Sequence, residues 1–386
     1  MSKKLLSVLL STAMVAALLV GCGNSAAETD APATEEAAPA EEEAPAEEAA
    51  PAEEAPAAEA NGTKVGVSMP TKDLQRWNQD GANMQAELEA AGYEVDLQYA
   101  NNEPQTQVSQ IENMISNGAN VLVIAAIEAS SLGEALDMAK AANIPVIAYD
   151  RLLMNSDAVS YYATFDNYKV GVTQGQYIVD TLDLDNAEGP FNMEITAGDP
   201  GDNNAGFFYG GAMDTLQPYI DAGKLVVKSG QTAFDEVATP QWKTETAQSR
   251  AENILSSNYA DGTNVDVWLC SNDSTALGVE NALAANYNGE YPIVTGQDCD
   301  IENTKNMIAG KQAMSVFKDT RTLASQVVKM VGQILNGEEV DVNDTETYDN
   351  GTGVIPSFLC EPVFADADNY KELLIDSGYY TEDQLQ

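Results

Sequence analysis

Short apolar runs of strand length alternate along the chain with longer segments in which apolar residues recur every three or four positions. In the first half, this pattern predicts strands at 64–69, 94–99, 121–126 and 145–149, with helices at 80–91, 105–117 and 132–142 between them. The run at 121–126 is continuously apolar, as is typical of a strand buried on both faces of a parallel sheet. Repeated strand–helix units of this kind predict an α/β, doubly wound parallel sheet.

The same alternation begins again after residue 165 and continues almost to the end of the chain. It predicts helices at 168–182, 205–219, 244–257, 275–285, 301–309 and 322–335, and strands at 191–196, 225–229, 265–270, 293–295 and 313–317. A less regular tail contains the apolar stretch 354–359. Two sheets of similar size predict two lobes joined by a hinge. Because ligands of such sheets lie beyond the carboxyl ends of the strands, the two lobes are expected to form opposite walls of one cleft.

Polar side chains follow nearly every predicted strand, where they would reach this cleft. In the first lobe they are Arg76 with the neighbouring Trp77, Glu128, Asp150 and Arg151. In the second lobe they are Asp202, Asn203, Asn204, Asn272, Asp273, Gln297, Asp298, Lys318 and Asp319. Carboxylates, amides and guanidinium groups can make paired hydrogen bonds to hydroxyls, and charge strengthens those bonds. The pattern therefore indicates a neutral, polyhydroxylated ligand.

A sugar ring also has apolar C–H faces, which pack on aromatic side chains. Trp77 and Trp242 are the candidates for that contact, with Phe207 and Phe208 behind them. Structural alternatives remain open at this point. Asp273 and Asp300 could be helix N-caps, Glu128 could favour the N-terminus of the next helix, and Trp242 could belong to the core.

The first residues predict export and anchoring. Lys3 and Lys4 precede an apolar run at 5–20 that is too short to span a bilayer comfortably. Leu19-Val20-Gly21-Cys22 then resembles the lipobox of bacterial lipoproteins. That resemblance implies a signal peptide of residues 1–21, a lipidated Cys22 and attachment to the outer face of the cell membrane. An ordinary secretory signal with an accidental cysteine is the alternative.

Residues 22–62 are predicted to form a disordered tether after the anchor. From residue 23 this segment consists almost entirely of Ala, Pro and Glu, with twelve acidic residues and no Lys or Arg. It has little apolar surface to bury and its charges repel one another. The recurring prolines disfavour the alternative of an Ala/Glu helix.

Charge and composition exclude several classes of function. The formal net charge is −43, and the chain has no Lys/Arg-rich run. A nucleic-acid partner is therefore not expected. For the same reason, we expect the protein to contact the membrane through its lipid anchor only. The chain has no histidine, which excludes Ser-His-Asp and Cys-His nucleophiles and His-based zinc sites. Cys270, Cys299 and Cys360 fit no metal motif and are expected as buried thiols, although a Cys270–Cys299 disulfide stays open. We expect no cofactor and no metal.

Long segments of the folded part resemble the type I periplasmic sugar-binding proteins, in particular the multiple-monosaccharide (ChvE-like) branch, with xylose-binding proteins as near relatives. The matching segments lie at 67–72, 76–77, 97–100, 110–114, 146–151, 160–167, 202–205, 296–298 and 316–321. The resemblance implies that the sugar ligands are Arg76, Trp77, Asp150, Arg151, Asn204, Trp242, Asp273, Asp298 and Lys318. Glu128 stands where close relatives carry Asp, and it completes the expected set.

The same resemblance implies three chain crossovers at the hinge. It places the N-terminal lobe at 63–164 plus 319–350 and the C-terminal lobe at 165–318 plus 351–386. It also implies a substrate-binding protein that closes on an aldose such as galactose, glucose, xylose or arabinose. That protein would be a monomer and would deliver the sugar to the permease and ATPase subunits of an ABC importer. A sugar-sensing module that presents its liganded form to a membrane receptor is the alternative. A glycosidase built on Asp150 and Asp298 is the weakest reading.

Overall fold

The computed structural model describes residues 62–386. The predicted signal peptide, Cys22 and all of the predicted tether except Gly62 lie outside these residues. No helix in the described range is long and apolar enough to cross a membrane.

The first lobe is built on a six-stranded sheet in which every pairing is parallel. The strand order is β2-β1-β3-β4-β5-β11. Its strands are β1 (Lys64–Met69), β2 (Glu94–Tyr99), β3 (Val121–Ile124), β4 (Val146–Tyr149), β5 (Val159–Phe165) and β11 (Ser357–Cys360). Its helices are α1 (Gln75–Ala90), α2 (Pro104–Ser116), α3 (Gly133–Ala141) and α10 (Thr320–Asn336). Apolar residues pack on both faces of this sheet, which explains why β3 and β4 are buried along their whole length.

The second lobe repeats this arrangement around a four-stranded parallel sheet with the order β7-β6-β8-β9. Its strands are β6 (Phe191–Thr196), β7 (Leu225–Val227), β8 (Val267–Cys270), β9 (Ile293–Val294), β10 (Met314–Phe317) and β12 (Val363–Asp366). Its helices are α4 (Asn167–Thr181), α5 (Asn203–Asp221), α6 (Phe234–Val237), α7 (Thr244–Asn258), α8 (Asp273–Asn286) and α9 (Ile301–Ile308), with short helical turns at Pro240–Trp242, Lys371–Asp376 and Glu382–Leu385. A parallel bridge between Gln297 and Val316 joins β10 to this sheet, and β12 pairs antiparallel with β10. The prediction of two doubly wound α/β lobes is confirmed.

The chain crosses between the lobes at three places, and one of them differs from the expected position. The first crossing lies between β5 and α4, and the second lies between β10 and α10. The third was expected near residues 350–351, but residues 357–360 form β11, which pairs with β5 in the first sheet. The chain therefore crosses at Glu361–Pro362, just before β12. Asn350 explains the difference, because its buried side-chain amide donates to the carbonyls of Leu153 and Ser156 within the first lobe.

Two local features bear on the cleft. Helix α1 begins at Gln75, five residues before the predicted start, so Arg76 and Trp77 lie in its first turn rather than in a preceding loop. Cys270, Cys299 and Cys360 are buried free thiols, so the Cys270–Cys299 disulfide is absent.

Candidate functional site

A cavity lies between the carboxyl ends of the two sheets, and its empty volume, which includes open solvent at its mouth, is about 440 Å³. The first lobe contributes Leu74, Arg76, Trp77, Asp150 and Arg151 to its wall. The second lobe and the hinge contribute Asp202, Asn204, Phe208, Trp242, Asn272, Ser274, Gln297, Asp298, Asp300 and Lys318.

Arg76 is the centre of a buried ion cluster that joins the two lobes. Its guanidinium donates to Asp80 within helix α1, to Asp150 at 2.7 Å and to Asp298 of the second lobe at 2.8 Å. Burial alone would lower the pKa of Arg76, but these three carboxylates raise it well above its ordinary value. Asp80 also accepts a hydrogen bond from the Tyr149 hydroxyl, and burial raises the pKa of Asp80 to about 6 against the opposing charge of Arg76. Arg76 is therefore a fixed cation whose three partners hold its side chain in one orientation.

Lys318 lies at the hinge and supplies the second cation of this cluster. Its ammonium is 3.1 Å from Asp298 and 3.9 Å from Asp150. Burial would raise the pKa of Asp150, but Arg76, Lys318 and Arg151 together lower it below the ordinary value of 3.8. Asp150 is therefore an ionised hydrogen-bond acceptor at neutral pH.

A further ion pair joins the two lobes beside the cluster around Arg76. Arg151 of the first lobe and Asp202 of the second form an ion pair with a distance of 2.9 Å between Nε and Oδ2. The Trp242 indole donates to the same Asp202 oxygen at 3.2 Å, while Asp202 Oδ1 accepts from the backbone N–H of Asn204 and caps helix α5. Burial raises the pKa of Asp202, and Arg151 opposes that rise. Asp202 thus fixes the positions of the Trp242 indole, the Arg151 side chain and the start of helix α5.

Asn204 makes a further contact between the lobes. Its side-chain amide donates to the Asp150 carbonyl at 2.6 Å, and its Oδ1 is 2.9 Å from the Tyr162 hydroxyl. Asn204 is 1% exposed, so these polar atoms would be costly to bury without such partners. Its position in the first turn of α5 follows from the Asp202 cap.

Two indoles supply the apolar surface of the cavity. The Arg151 guanidinium lies over the Trp77 ring at 4.9 Å, which holds that ring against the first lobe. Trp242 packs edge-on against Phe208 with ring centroids 6.2 Å apart. Gly198 makes room for it, because a Cβ at that position would collide with the six-membered ring of Trp242.

Three residues of the cavity wall have left-handed backbone conformations. The φ angles of Asp150, Trp242 and Asp298 are 57°, 57° and 98°. Such conformations are uncommon for residues other than glycine, and each costs on the order of 1–3 kcal/mol. Strain of this kind concentrates at ligand sites, where the surrounding structure holds a side chain in a required direction.

The structure brings eight of the ten predicted site residues together in the cavity wall: Arg76, Trp77, Asp150, Arg151, Asn204, Trp242, Asp298 and Lys318. Asp273 is fully buried behind the wall, where it accepts hydrogen bonds from Gln312, Ser315 and the backbone N–H of Asp300. Asn272 lines the cavity instead and caps helix α8. Glu128 is exposed and is not part of the wall, although its side chain lies close to Gly201 of the second lobe.

The sequence also pointed to residues that the predicted set omitted. Asp202, Asn272 and Gln297 follow predicted strands, so the signal that identified their neighbours applied to them equally. Asp300 was weighed as a helix cap; it occupies the N-cap position of α9, but its side chain accepts no capping hydrogen bond. Burial, together with Asp273 and Asp298, raises the pKa of Asp300 well above its ordinary value. Asp300 therefore keeps its proton to a higher pH than an exposed aspartate does.

This arrangement can hold a small, neutral molecule rich in hydroxyls. It offers charged and amide hydrogen-bonding groups on both sides and indole surfaces for an apolar ring face. Within residues 62–386 no group of three or more Cys, Asp or Glu side chains is arranged to hold a metal ion.

Comparison with known proteins agrees with this geometry. The family described as "Periplasmic binding protein domain" matches residues 65–339. The chain is 51% identical over 326 residues to the multiple sugar-binding periplasmic receptor ChvE of Rhizobium radiobacter, covering 83% of this chain and 92% of that protein. It is 34% identical over 326 residues to the D-xylose-binding periplasmic protein of Escherichia coli, covering 84% and 93% respectively.

A solved structure is closer still. The ABC transporter solute-binding protein from Clostridium phytofermentans, crystallised with β-D-glucose, is 72% identical and superposes with a TM-score of 0.83. The match covers 84% of this chain and all of that one. The family match and these identities confirm the resemblance seen in the sequence. With its two α/β lobes and the cavity between them, the chain belongs to the periplasmic binding protein family and is a binding protein rather than an enzyme.

Proposed function

We propose that this protein binds a monosaccharide, specifically an aldose in its ring form, between its two lobes and delivers it to an ABC importer. The observation that carries the proposal is the cavity wall, which combines two indoles with charged and amide side chains from both lobes. The β-D-glucose bound to the Clostridium phytofermentans relative supports the choice of ligand. Binding would shift an equilibrium between open and closed lobes, and the transporter would recognise the closed form.

We further propose which residues contact the sugar. Asp150, Asp298, Asn204, Asn272 and Lys318 would form hydrogen bonds with its hydroxyls. Arg76 and Arg151 would add charged donors, and Trp77 and Trp242 would pack against the faces of the ring. An analogue lacking one hydroxyl would leave a buried charged group unpaired, and this cost would provide the specificity.

Calorimetry with the chain from Gly62 onward tests the proposal, because the crystallised relative matches 84% of this chain over its own whole length. Glucose, galactose, xylose, arabinose and ribose should be titrated separately. At least one is expected to bind with a Kd tighter than about 100 µM. Weaker binding of all five would refute the proposal.

A matched pair of variants checks the site. Asp150→Asn keeps the size of a buried side chain and removes its charge, so affinity should fall by at least about tenfold. Asp157→Asn makes the same change at an exposed residue whose ion pair with Lys140 is on the surface, and this variant should bind sugar as the wild type does. Equal effects of the two substitutions would place the sugar elsewhere.

The membrane attachment belongs to the same proposal. Cys22 would carry the lipid and residues 23–62 would hold the folded part away from the outer face of the cell membrane. Cys22→Ser should release into the medium a protein that still binds sugar. Retention of this variant in the membrane fraction would contradict the anchor.

A sensory role is the second candidate, because the Rhizobium radiobacter relative is described as a receptor. The cavity would be identical, and the lobes would present the closed form to a membrane receptor instead. Genes for a permease and an ATPase next to this gene would support import, whereas an adjacent gene for a sensor kinase would support signalling.

A further inference from the structure

The loop that carries Asp298 is held from its outer side by the C-terminal tail. The buried Tyr380 hydroxyl donates to the Cys299 carbonyl, with 2.9 Å between the oxygens. Its ring packs with Met307, Phe317 and Leu374 in a cluster of the second lobe. Tyr380 is therefore anchored in the second lobe and touches the backbone next to Asp298.

The same tyrosine oxygen also joins the first lobe. The side-chain amides of Gln75 and Gln79, both on helix α1, donate to it at 2.7 and 3.0 Å. Gln75 then accepts a hydrogen bond from the backbone N–H of Ile301 at 3.1 Å. One phenol oxygen thus donates once and accepts twice, so its hydrogen-bonding capacity is fully used.

The neighbouring Tyr379 strengthens this contact. Its hydroxyl is within 3.3 Å of both Thr320 of helix α10 and the Gln79 side chain. The Arg321 guanidinium lies over its ring at 4.9 Å. The tail therefore contacts two helices of the first lobe while its tyrosines pack edge-on against each other, with centroids 4.8 Å apart.

Helix α1 and the Asp298 loop are consequently tied together twice. Inside the cavity the tie is the ion pair between Arg76 and Asp298. Outside the cavity it is the node formed by Gln75, Gln79 and Tyr380, none of which lines the cavity. Separation of the lobes would have to break both ties.

We propose that Tyr380 is a positioning residue that clamps the Asp298–Ile301 loop against helix α1 in the closed form and slows release of the sugar without touching it. This inference rests on the proposed function for its ligand. The clamp itself concerns the closed arrangement of the two lobes, which can be measured without sugar.

Tyr380→Phe is the sharpest test, because it keeps the ring and removes only the shared oxygen. In the full chain, glucose affinity measured by calorimetry should fall about tenfold, with most of the change in the dissociation rate measured by stopped-flow fluorescence. Tyr370→Phe is the control: this tyrosine lies in the same tail, and among the described residues its hydroxyl has no hydrogen-bond partner. It should leave both quantities unchanged. A Tyr380→Phe protein with wild-type affinity and dissociation rate would overturn the proposal.

A second measurement separates failure of the clamp from failure of the sugar proposal. Spin labels on cysteines introduced at the exposed Ser116 and Ser257 would report the fraction of closed molecules through their distance distribution. Tyr380→Phe and Gln75→Leu should each lower that fraction severalfold, and the double variant should add little, since both remove the same node. This outcome would hold even if no sugar tested binds. Closed fractions equal to the wild type in both variants, or strictly additive effects, would overturn the clamp.

Discussion

The two walls of the cavity differ in where the positive charges next to their carboxylates come from. In the first lobe, Asp150 lies beside Arg76 and Arg151 of the same lobe, and the pKa of Asp150 is lowered. In the second lobe, Asp202 and Asp300 obtain cations mainly from the opposite wall and the hinge, and burial raises the pKa of each. Identical side chains thus have opposite pKa shifts because their neighbours differ.

This difference indicates what closure of the lobes accomplishes electrostatically. The first lobe carries its own compensating arginines, whereas the second lobe receives Arg76 and Arg151 only when the walls meet, at 2.8 Å from Asp298 and 2.9 Å from Asp202. A ligand that binds between them must fit among groups already aligned by these contacts. Such preorganisation lowers the cost of ordering the site on binding.

Removing Arg76 should give the largest effect, since it is the cation shared by both walls. Arg76→Ala leaves Asp80, Asp150 and Asp298 buried without their common partner. Breaking a buried pair in this way typically costs about 3–5 kcal/mol, so the free energy of unfolding should fall by about that amount. Urea denaturation should show this loss, and calorimetry should show no measurable sugar binding.

Lys64→Ala is the control for this prediction. Lys64 pairs with Glu94 at 3.0 Å on the surface, where an ion pair contributes only about 0–1 kcal/mol. Its removal should leave sugar binding intact. An Arg76→Ala protein that is as stable as Lys64→Ala would mean that the buried cluster does not join the two walls energetically.

The strand pattern predicted most of this site because the carboxyl ends of parallel strands converge. Asp150, Arg151 and Lys318 follow β4 and β10 directly, and all of them reach the cavity. The pattern did not show which of two adjacent residues at the start of helix α8 would line the cavity. Asn272 caps α8 and lines the cavity, while Asp273, the next residue, turns away into a buried hydrogen-bond network. Successive residues of a helix point about 100° apart, so this choice depends on the exact cap.

Other differences between prediction and structure depend on contacts between residues that are far apart in the sequence. Glu128 was expected in the cavity, but it follows β3 by several residues and ends exposed near Gly201. The third crossover was misplaced because strand β11 finds its partner in β5, almost 200 residues earlier in the chain. No local pattern encodes that pairing. The clamp by Tyr380 is equally non-local, since it joins residues about 300 positions apart.

Asp202→Asn should have a smaller effect than the loss of Arg76, because it breaks only one contact between the walls. The single carbonyl oxygen of asparagine can still accept the capping hydrogen bond from the Asn204 backbone N–H, so helix α5 and the fold should persist, while the hydrogen bond from the Trp242 indole is lost. Without its charge the attraction to Arg151 is lost, and we expect sugar affinity to fall about tenfold in calorimetry.

A double variant that combines Asp202→Asn with Arg151→Met tests whether the ion pair between these two residues contributes to sugar binding. The two substitutions should together weaken binding by less than the product of their separate effects, because each removes the same ion pair. Fully independent effects would instead show that Arg151 and Asp202 act on the sugar separately, and that closure of the cleft does not depend on their contact.

Titration of Asp300 should give the smallest effect, and it tests the cavity wall of the second lobe directly. The raised pKa of Asp300 means that the folded protein binds a proton that the unfolded chain releases above about pH 4. The free energy of unfolding should therefore fall as the pH rises from about 4 through the raised pKa, by at most about 1.4 kcal/mol per pH unit. Asp300→Asn should reduce this slope in urea denaturation, while the buried neighbour Asp273, whose pKa is raised to about 8, should account for part of the slope that remains. Sugar affinity should follow the same trend, since Asp300 lines the cavity.

Glu280 provides the comparison that makes this result specific to the cavity. Burial raises its pKa to about 8, and its carboxylate accepts from the Asn306 amide inside the second lobe, away from the cavity wall. By the same sign argument, Glu280→Gln should flatten the pH dependence of unfolding while leaving that of sugar affinity unchanged. If Asp300→Asn behaves in the same way as Glu280→Gln, then Asp300 contributes to the stability of the second lobe alone. The contrast between the two walls would then not extend to ligand binding.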